Sequence, residues 1–401
     1  MSSPGPVVLF CGALARDGVA RNTVHAANAL ARRGVPVEVV CLEAGPLAAD
    51  LEGPALTRLG RAPGPRALAL AAALPALRRR LVESRAGVVV SMGNHAHLAI
   101  WAALRGLPRL PRVYRISNDP FHPGEGVLAG ALRNLGLGLI ARDATRLVAV
   151  SAAAARRPVF EAARGHGRLE VVPNGVDAAR VLGRAQAPCD HPWAADGAPF
   201  LAAVGRLHRQ KNCEALIEAL TLLRGAGRPD LRLLVLGRGS PRTRRRLERL
   251  AQARGLAGAV RFDGETANPF PLVARAAAYV LPSRWEGASN SLLEALACGV
   301  PVVAAVTAGS APEVLADGRY GVLARPEPAD LARAIAVQLD PATRVMPSGR
   351  ADAYSLDASV ERLCRLIQDA RAAHDENQMS SGPAGHLVPL GRSLRGRNTE
   401  Y

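Results

Sequence analysis

Two α/β domains of similar size, each a Rossmann-like, doubly wound parallel sheet, are what this sequence predicts, and three observations carry the prediction. The chain has 401 residues, of which 49% are apolar, so it has ample material for proper cores; at roughly 150 residues per domain it holds two or three domains. Short β-rich runs alternate with helical patterns along most of the chain, which is the grammar of βαβ units. That rhythm breaks between residues 173 and 199, where Pro, Gly and Asp gather in NGVDAARVLGRAQAPCDHPWAADGAP without a sustained period.

The first domain is placed at residues 1–175. Residues 7–11 (VVLFC) read as a strand, 20–33 as an amphipathic helix closed by Gly34, and 37–42 as the next strand. The apolar run 67–77 is about half a membrane span and contains Pro75, so it reads as a buried or interfacial helix. Strands follow at 87–91, 112–116, 146–150 and 169–172, with a helix capped by Ser151. Residues 176–198 form the linker. The second domain, 199–345, carries strands at 200–204, 231–236, 259–262, 278–281 and 301–305 and helices at 212–223, from Ser240, at 291–298 and at 328–339. Leu356, Val360, Leu363, Cys364 and Ile367 give 355–374 the spacing of one buried helical stripe, to be packed on one of the domains. The polar stretch 375–401 has no period and reads as a disordered tail. Two facing domains leave a central cleft, and ligands of such sheets bind beyond the carboxyl ends of strands.

Charge narrows the partners. Basic side chains number 51 against 34 acidic, a formal net of +17, which raises nucleic acid or an anionic membrane as partner. Aromatic residues make up 3% of the chain, so stacking platforms for bases are scarce, and no Cys/His finger spacing occurs; no nucleic-acid partner is expected. Lys211 is the single lysine. The heavy use of Arg, Ala, Gly and Pro looks like the codon preference of a GC-rich genome. A membrane surface stays open, with Arg78, Arg79, Arg80 and Arg85 as its candidate contacts. The six cysteines never form C-x-x-C, which suits buried or incidental thiols in a reducing compartment. The start lacks a charged n-region and a cleavable apolar core. The expected location is cytoplasmic, with a peripheral place on the inner face of the plasma membrane left open.

The strongest constellation is WEGASNSLLEALACGVPVV, residues 285–303. A strand ending near Leu281 leads into a small-residue loop, and a helix begins about Ser291 with Ser289 or Asn290 as its N-cap. The first free amides of that helix and its positive dipole end suit a phosphate. Glu286 lies before the helix and Glu294 in its first turn, so both can point into one cleft. Two glutamates beside a helix start also satisfy the dipole with no further role. Arg206 and Lys211 follow strand 200–204 five residues apart, with Gly205 easing close backbone approach. Fixed cations of this kind stabilise a leaving diphosphate as its bond breaks. Lys211 as a solvated side chain at a helix start is the plainer alternative, although a cation there opposes the dipole.

This stretch is similar to the E-x7-E motif of retaining GT-B glycosyltransferases, especially the large family 4. Other family strings match in order: VVPNGVD (171–177) resembles the end of the family's first domain, AVGRLHRQKN (203–212) its G-R-L…K-N loop, and LVLGRG (234–239), with Gly237, its L-x-G-x-G turn. GSAPE (309–313) and DGRYG (317–321) resemble its last segment. The resemblance spans about residues 7–339 and implies a GT-B fold. It implies further that Glu294 holds the ribose hydroxyls, Glu286 a donor-sugar hydroxyl, and the amides around Ser289, Asn290, Ser291 and Leu292 the diphosphate. Retention of configuration also follows from the resemblance, through an oxocarbenium-like state in which leaving oxygen and acceptor act on the same face. No Asp-x-Asp pair occurs, which agrees with cationic side chains taking the place of a metal; no metal or other cofactor is expected.

In the first domain, GALARDGV (12–19) resembles the family's glycine loop, with backbone near Gly18 approaching the phosphate or the acceptor; an ordinary βα turn reads the same way. Many relatives carry a histidine after the strand equivalent to 112–116. This chain has RISNDPFH (115–122), so either Asn118 takes that hydrogen-bonding role or His122 reaches back. The G-x-G-x-x-G pattern fails at Arg242, which excludes a dinucleotide fingerprint. The resemblance implies transfer of a hexose from a nucleotide sugar, UDP by default, to a glycan or lipid-linked acceptor of surface polysaccharide or glycolipid assembly. A nucleotide-sugar 2-epimerase on the same fold and a non-catalytic sugar-nucleotide-binding protein remain as alternatives.

Overall fold

The computed structural model describes residues 5–107, 110–121 and 124–380. It contains two all-parallel sheets. The first has seven strands, β1 (Val7–Ala13), β2 (Val37–Glu43), β3 (Ala55–Arg58), β4 (Val88–Ser91), β5 (Arg112–Ile116), β6 (Arg146–Ala149) and β7 (Leu169–Val171), in the order β3-β2-β1-β4-β5-β6-β7. The second has β8 (Phe200–Val204), β9 (Arg232–Leu236), β10 (Val260–Gly264), β11 (Ala278–Leu281), β12 (Val302–Ala305) and β13 (Val322–Ala324), in the order β10-β9-β8-β11-β12-β13. Strand order reverses between β1 and β4 and again between β8 and β11, so each sheet has a switch point where its loops diverge and leave a crevice.

The strands are apolar on both faces because helices cover both. Along β1, Val7, Leu9 and Cys11 enter one core and Val8 and Phe10 the other, all fully buried, as the two-residue side-chain period requires. One face is covered by the helix Gly18–Arg32 and the C-terminal helix, the other by the helices Arg66–Glu83, His97–Ala103 and Val127–Asp143. Leu70, Ala73, Leu77 and Leu81 bury the inner side of Arg66–Glu83, with Pro75 kept inside the helix. All six cysteines are free, and burial raises the thiols of Cys11 and Cys213 to about 12.

Several expectations are corrected. The stretch read as a linker contains the helices Ala178–Ala185 and Pro192–Ala195, and Val181, Ala185 and Trp193 belong to the core of the second domain. Its Pro and Gly residues punctuate short helices rather than unstructured chain. The C-terminal helix runs from Leu356 to Ser380, beyond residue 374 and into the stretch expected to be disordered; the remainder of that tail lies outside the described residues. It returns to the first domain, where Leu363, Cys364, Leu366, Ile367 and Ala370 join the core beneath Gly18–Arg32. Strands β3 and β13 and the helix Val127–Asp143 had no distinct sequence signal: the strands are four and three residues long, and the helix scatters its apolar residues around its axis without one segregated stripe.

Candidate active site

The loop after β11 and the helix Asn290–Ala297 form the floor of the cleft. Ser289 is the N-cap but makes no side-chain cap hydrogen bond, so the amides of Asn290, Ser291 and Leu292 keep their donor capacity for a ligand. The Ser291 hydroxyl accepts from Tyr279 Oη at 2.8 Å and lies 3.0 Å from Ser289 Oγ. Burial, opposed by that hydrogen bond, raises the Tyr279 phenol above its ordinary range. The Leu292 side chain is wholly buried, so only its backbone is available. The helix begins at Asn290, which puts Glu294 one turn along it and not in the first turn as expected.

Glu286 and Lys211 meet here. Lys211 Nζ lies 2.6 Å from Glu286 Oε1. The same carboxylate accepts from Ser283 Oγ at 2.9 Å and from Gln210 Nε2 at 3.3 Å. Glu286 is buried, and three donors fix its orientation. Lys211 reaches it because the chain turns through a left-handed Asn212 (φ 54°), whose carboxamide donates to Pro282 O at 3.1 Å and Pro326 O at 2.9 Å. The Arg284 amide donates back to Gln210 O at 2.8 Å, which joins the loop after β8 to the loop after β11. Gly205 and Gly237 hold left-handed backbone (φ 156° and 149°), and a Cβ on Gly237 would stand 2.0 Å from Gly205 O. Gly237 therefore permits close approach of two loops. Arg206 is exposed beside them; partial burial, with the nearby charges of Arg206 and Arg209 adding to it, lowers the pKa of His208.

The first domain closes over this floor. Gly18 opens the helix Gly18–Arg32 and abuts Asn290: a Cβ there would lie 3.1 Å from Asn290 Nδ2. Asp17 caps that helix, accepting from Ala20 N at 2.9 Å. One turn on, Arg21 donates to Glu294 Oε1 at 2.6 Å. Asn118 reaches the cleft through its backbone, which packs so tightly on Gly287 that a Cβ on the glycine would be 2.5 Å from Asn118 Cα. Its carboxamide oxygen accepts from Asp119 N at 3.0 Å, and its carbonyl from Asn94 Nδ2 at 2.9 Å. His122 lies outside the described residues.

Sequence reasoning missed Arg21, Arg115, Asn174 and Gln210. Asn174 is buried and donates to Asn290 Oδ1 at 2.6 Å and to Ala288 O at 3.3 Å, while accepting from Arg115 Nη2 at 2.7 Å. Burial lowers the Arg115 guanidinium to about 10. Asn174 stands within VVPNGVD, so a polar side chain in that string was its available signal; Arg21 and Arg115 are two among many arginines and carried none. Two other groups are used elsewhere. His97 is part of the first-domain core, with Nδ1 2.7 Å from Ser91 Oγ and its ring edge-on to Tyr114. Arg78 donates to Ala103 O at 2.9 Å and Arg105 O at 2.6 Å, and Arg80 pairs with Glu38 at 2.6 Å, which leaves Arg79 and Arg85 of that basic cluster exposed.

Two family models match the chain in turn, glycosyltransferase family 4 over residues 16–180 and glycosyl transferases group 1 over residues 198–340. The chain belongs to the family 4, group 1 glycosyltransferases. Within this family it is similar to the D-inositol 3-phosphate glycosyltransferase of Pseudarthrobacter chlorophenolicus, 33% identical over 266 residues that cover 64% of this chain and 61% of that protein. It is also similar to the lipopolysaccharide core biosynthesis glycosyltransferase LpsE of Rhizobium meliloti, 33% identical over 156 residues, 39% of this chain and 42% of that protein. The matched region thus spans less than two thirds of either relative. The fold is GT-B: the structure of Anabaena HepE in complex with UDP and glucose superposes with a TM-score of 0.75 at 19% identity, covering 91% of this chain and 99% of that one.

Proposed function

We propose that this family 4 glycosyltransferase moves a hexose, with retention, from a nucleotide sugar to a glycan or lipid-linked acceptor, and that UDP is the nucleotide. The observation that carries the reading is the convergence of Lys211, Glu286 and the uncapped amides of Asn290 to Leu292 at one mouth, with Glu294 a turn away and the first domain closed above. A diphosphate on those amides sets the β-phosphate oxygen that is bonded to the sugar near the Lys211 ammonium, where negative charge grows as the glycosidic bond lengthens. Arg206 supplies a second cation. Glu286 accepts a hydroxyl of the sugar, and Glu294 accepts from the ribose. The acceptor oxygen attacks on the face the leaving phosphate occupies and passes its proton to that phosphate oxygen. Two cations and a helix terminus do the work of a metal, so no metal is needed. Asn118 and His122 are the candidates for the first-domain polar group beside the sugar.

Relatives named for inositol phosphate and lipopolysaccharide core transfer support an acceptor in surface glycan or glycolipid assembly, and the HepE complex supports UDP. Among the described residues no helix is long and apolar enough to cross a membrane. The helix Val127–Asp143 leaves Leu128, Leu132 and Leu135 exposed at 74%, 61% and 64% in its N-terminal part. An exposed apolar stripe on a chain of charge +17 fits the inner, anionic face of a plasma membrane, and we place the protein there, with Arg79 and Arg85 as contacts.

Product analysis tests the reading. Purified protein incubated with UDP-sugars and a membrane extract should transfer sugar and release UDP. An epimerised donor would establish the 2-epimerase alternative, and nucleotide binding with an unchanged donor would establish a non-catalytic protein.

A further inference from the structure

Arg115 stands on β5 beneath the cleft and is 2% exposed. Among the described residues no carboxylate pairs with it, and its Nε has no hydrogen-bond partner. A guanidinium withdrawn from water without a counter-charge is strongly destabilising, and proteins tolerate it where a ligand or an ion completes the balance. The side-chain hydrogen bond it makes among the described residues shows where that balance is sought. Arg115 Nη2 donates to Asn174 Oδ1, Asn174 Nδ2 donates to Asn290 Oδ1, and Asn290 Nδ2 faces Gly18 across the mouth of the cleft. Each amide in this chain is polarised by the one before it, so positive potential is passed from a buried cation to an N–H at the uncapped start of the helix Asn290–Ala297. Asn22 Nδ2, 3.4 Å from Asn174 Oδ1, adds a further donor to the same oxygen.

We propose that Arg115 is a positioning residue of the donor site, a buried cation linked through Asn174 to Asn290, and that its counter-charge is the diphosphate of the bound nucleotide. The inference rests on the donor-site reading above and adds to it a first-domain charge that never touches the donor. Two consequences separate it from ordinary packing. Removing the charge relieves the ligand-free protein while it harms diphosphate binding, so stability and affinity move in opposite directions. The nucleoside, which carries no phosphate, is indifferent to the change.

The test compares wild type, Arg115→Met, Arg115→Lys and Asn174→Ala by calorimetric titration with UDP, GDP and ADP and with the matching nucleosides, beside the melting temperature of each ligand-free protein. Wild type should bind one diphosphate. Arg115→Met should bind it about tenfold or more weakly, with nucleoside affinity kept and a melting temperature equal to or above that of wild type. Arg115→Lys keeps the charge and should recover most of the lost affinity. Asn174→Ala breaks the relay and should lose diphosphate affinity selectively, which keeps the test decisive if Arg115→Met does not fold. Diphosphate affinity unchanged in Arg115→Met, or in Asn174→Ala where the former does not fold, overturns the inference and leaves the donor site standing. Equal loss of diphosphate and nucleoside binding with a lower melting temperature also overturns it, since packing alone then accounts for Arg115. Wild-type protein that binds no nucleotide overturns the donor-site reading and this inference with it.

Discussion

Arg21 of the first domain donates to Glu294 of the second at 2.6 Å, across the cleft that the nucleotide is proposed to enter. The arginine side chain is 42% exposed and the carboxylate 13%, so the pair is partly screened and worth at most about 1 kcal/mol. It is nonetheless one of few links between domains, beside Asn174 to Asn290 and the Ala152 amide to Glu313 Oε2 at 3.3 Å. Arg21→Ala should let the ligand-free domains open. Small-angle scattering should show a larger radius of gyration for the variant than for wild type at low salt, and the two should converge as salt screens the pair.

Glu294→Ala removes the acceptor for the ribose hydroxyls. Hydrogen bonds to a charged group contribute about 1.5–3 kcal/mol, so nucleoside and nucleoside diphosphate affinity should both fall about tenfold or more by calorimetry. That joint loss is the opposite of the selective loss expected for Arg115→Met. Undiminished nucleoside binding would place the ribose elsewhere.

The helix Val127–Asp143 carries its own prediction. Leu128→Ser with Leu132→Ser and Leu135→Ser removes exposed apolar surface and nothing from the core, which is built on Leu137, Ile140 and Ala141. Binding to vesicles containing anionic lipid should fall several-fold in a sedimentation assay, at about 25 cal/mol per Å² of apolar surface no longer buried, with the melting temperature unchanged. Equal sedimentation of variant and wild type would exclude this face.

Much of the second domain was legible because its chemistry is local in sequence. Glu286, Asn290 and Glu294 lie within one loop and one helix, and the single lysine falls in a loop that the β8–β11 switch point brings against them. The first domain reaches the site by contacts no local pattern encodes. Arg21 and Glu294 are separated by 273 positions and Arg115 and Asn174 by 59. A buried arginine inside a strand looks like any other arginine until its surroundings are seen. Trp193 was obscured for a different reason: the Pro- and Gly-rich composition of its segment resembles a linker, whereas its ring packs near Phe200 with Arg232 stacked over it at 4.5 Å.

Lys211→Ala should lower kcat by about two to three orders of magnitude, the range found for removing one group aimed at developing charge, and change KM little. The ammonium stabilises charge that appears as the leaving group departs, so its value is greatest in the transition state. Its pairing with Glu286 adds a second loss, since the carboxylate then keeps only Ser283 and Gln210 as donors. Steady-state kinetics with the preferred donor checks this, and normal turnover would remove Lys211 from the mechanism.

His97 sets a pH dependence of stability that is independent of catalysis. Burial lowers its pKa from an ordinary 6.5 to about 3, so it is neutral in the folded protein while the unfolded chain takes up a proton below pH 6.5. Between those limits the unfolded state binds more protons, and stability must fall as pH falls; above pH 6.5 the histidine contributes no slope. The slope is about 1.4 kcal/mol per pH unit for one proton, or about 3–6 °C in melting temperature for a domain of this size. His25 and His208 are lowered mainly by burial as well and add slope of the same sign. His97→Gln removes the ionisable ring and keeps a polar partner for Ser91. Melting temperatures measured from pH 7.5 to pH 4.5 should therefore decline less steeply in His97→Gln than in wild type, with the difference confined to pH below about 6.5. Parallel curves would mean that the imidazole takes up its proton in the folded state at an ordinary pH, and would remove His97 from the pH dependence of stability.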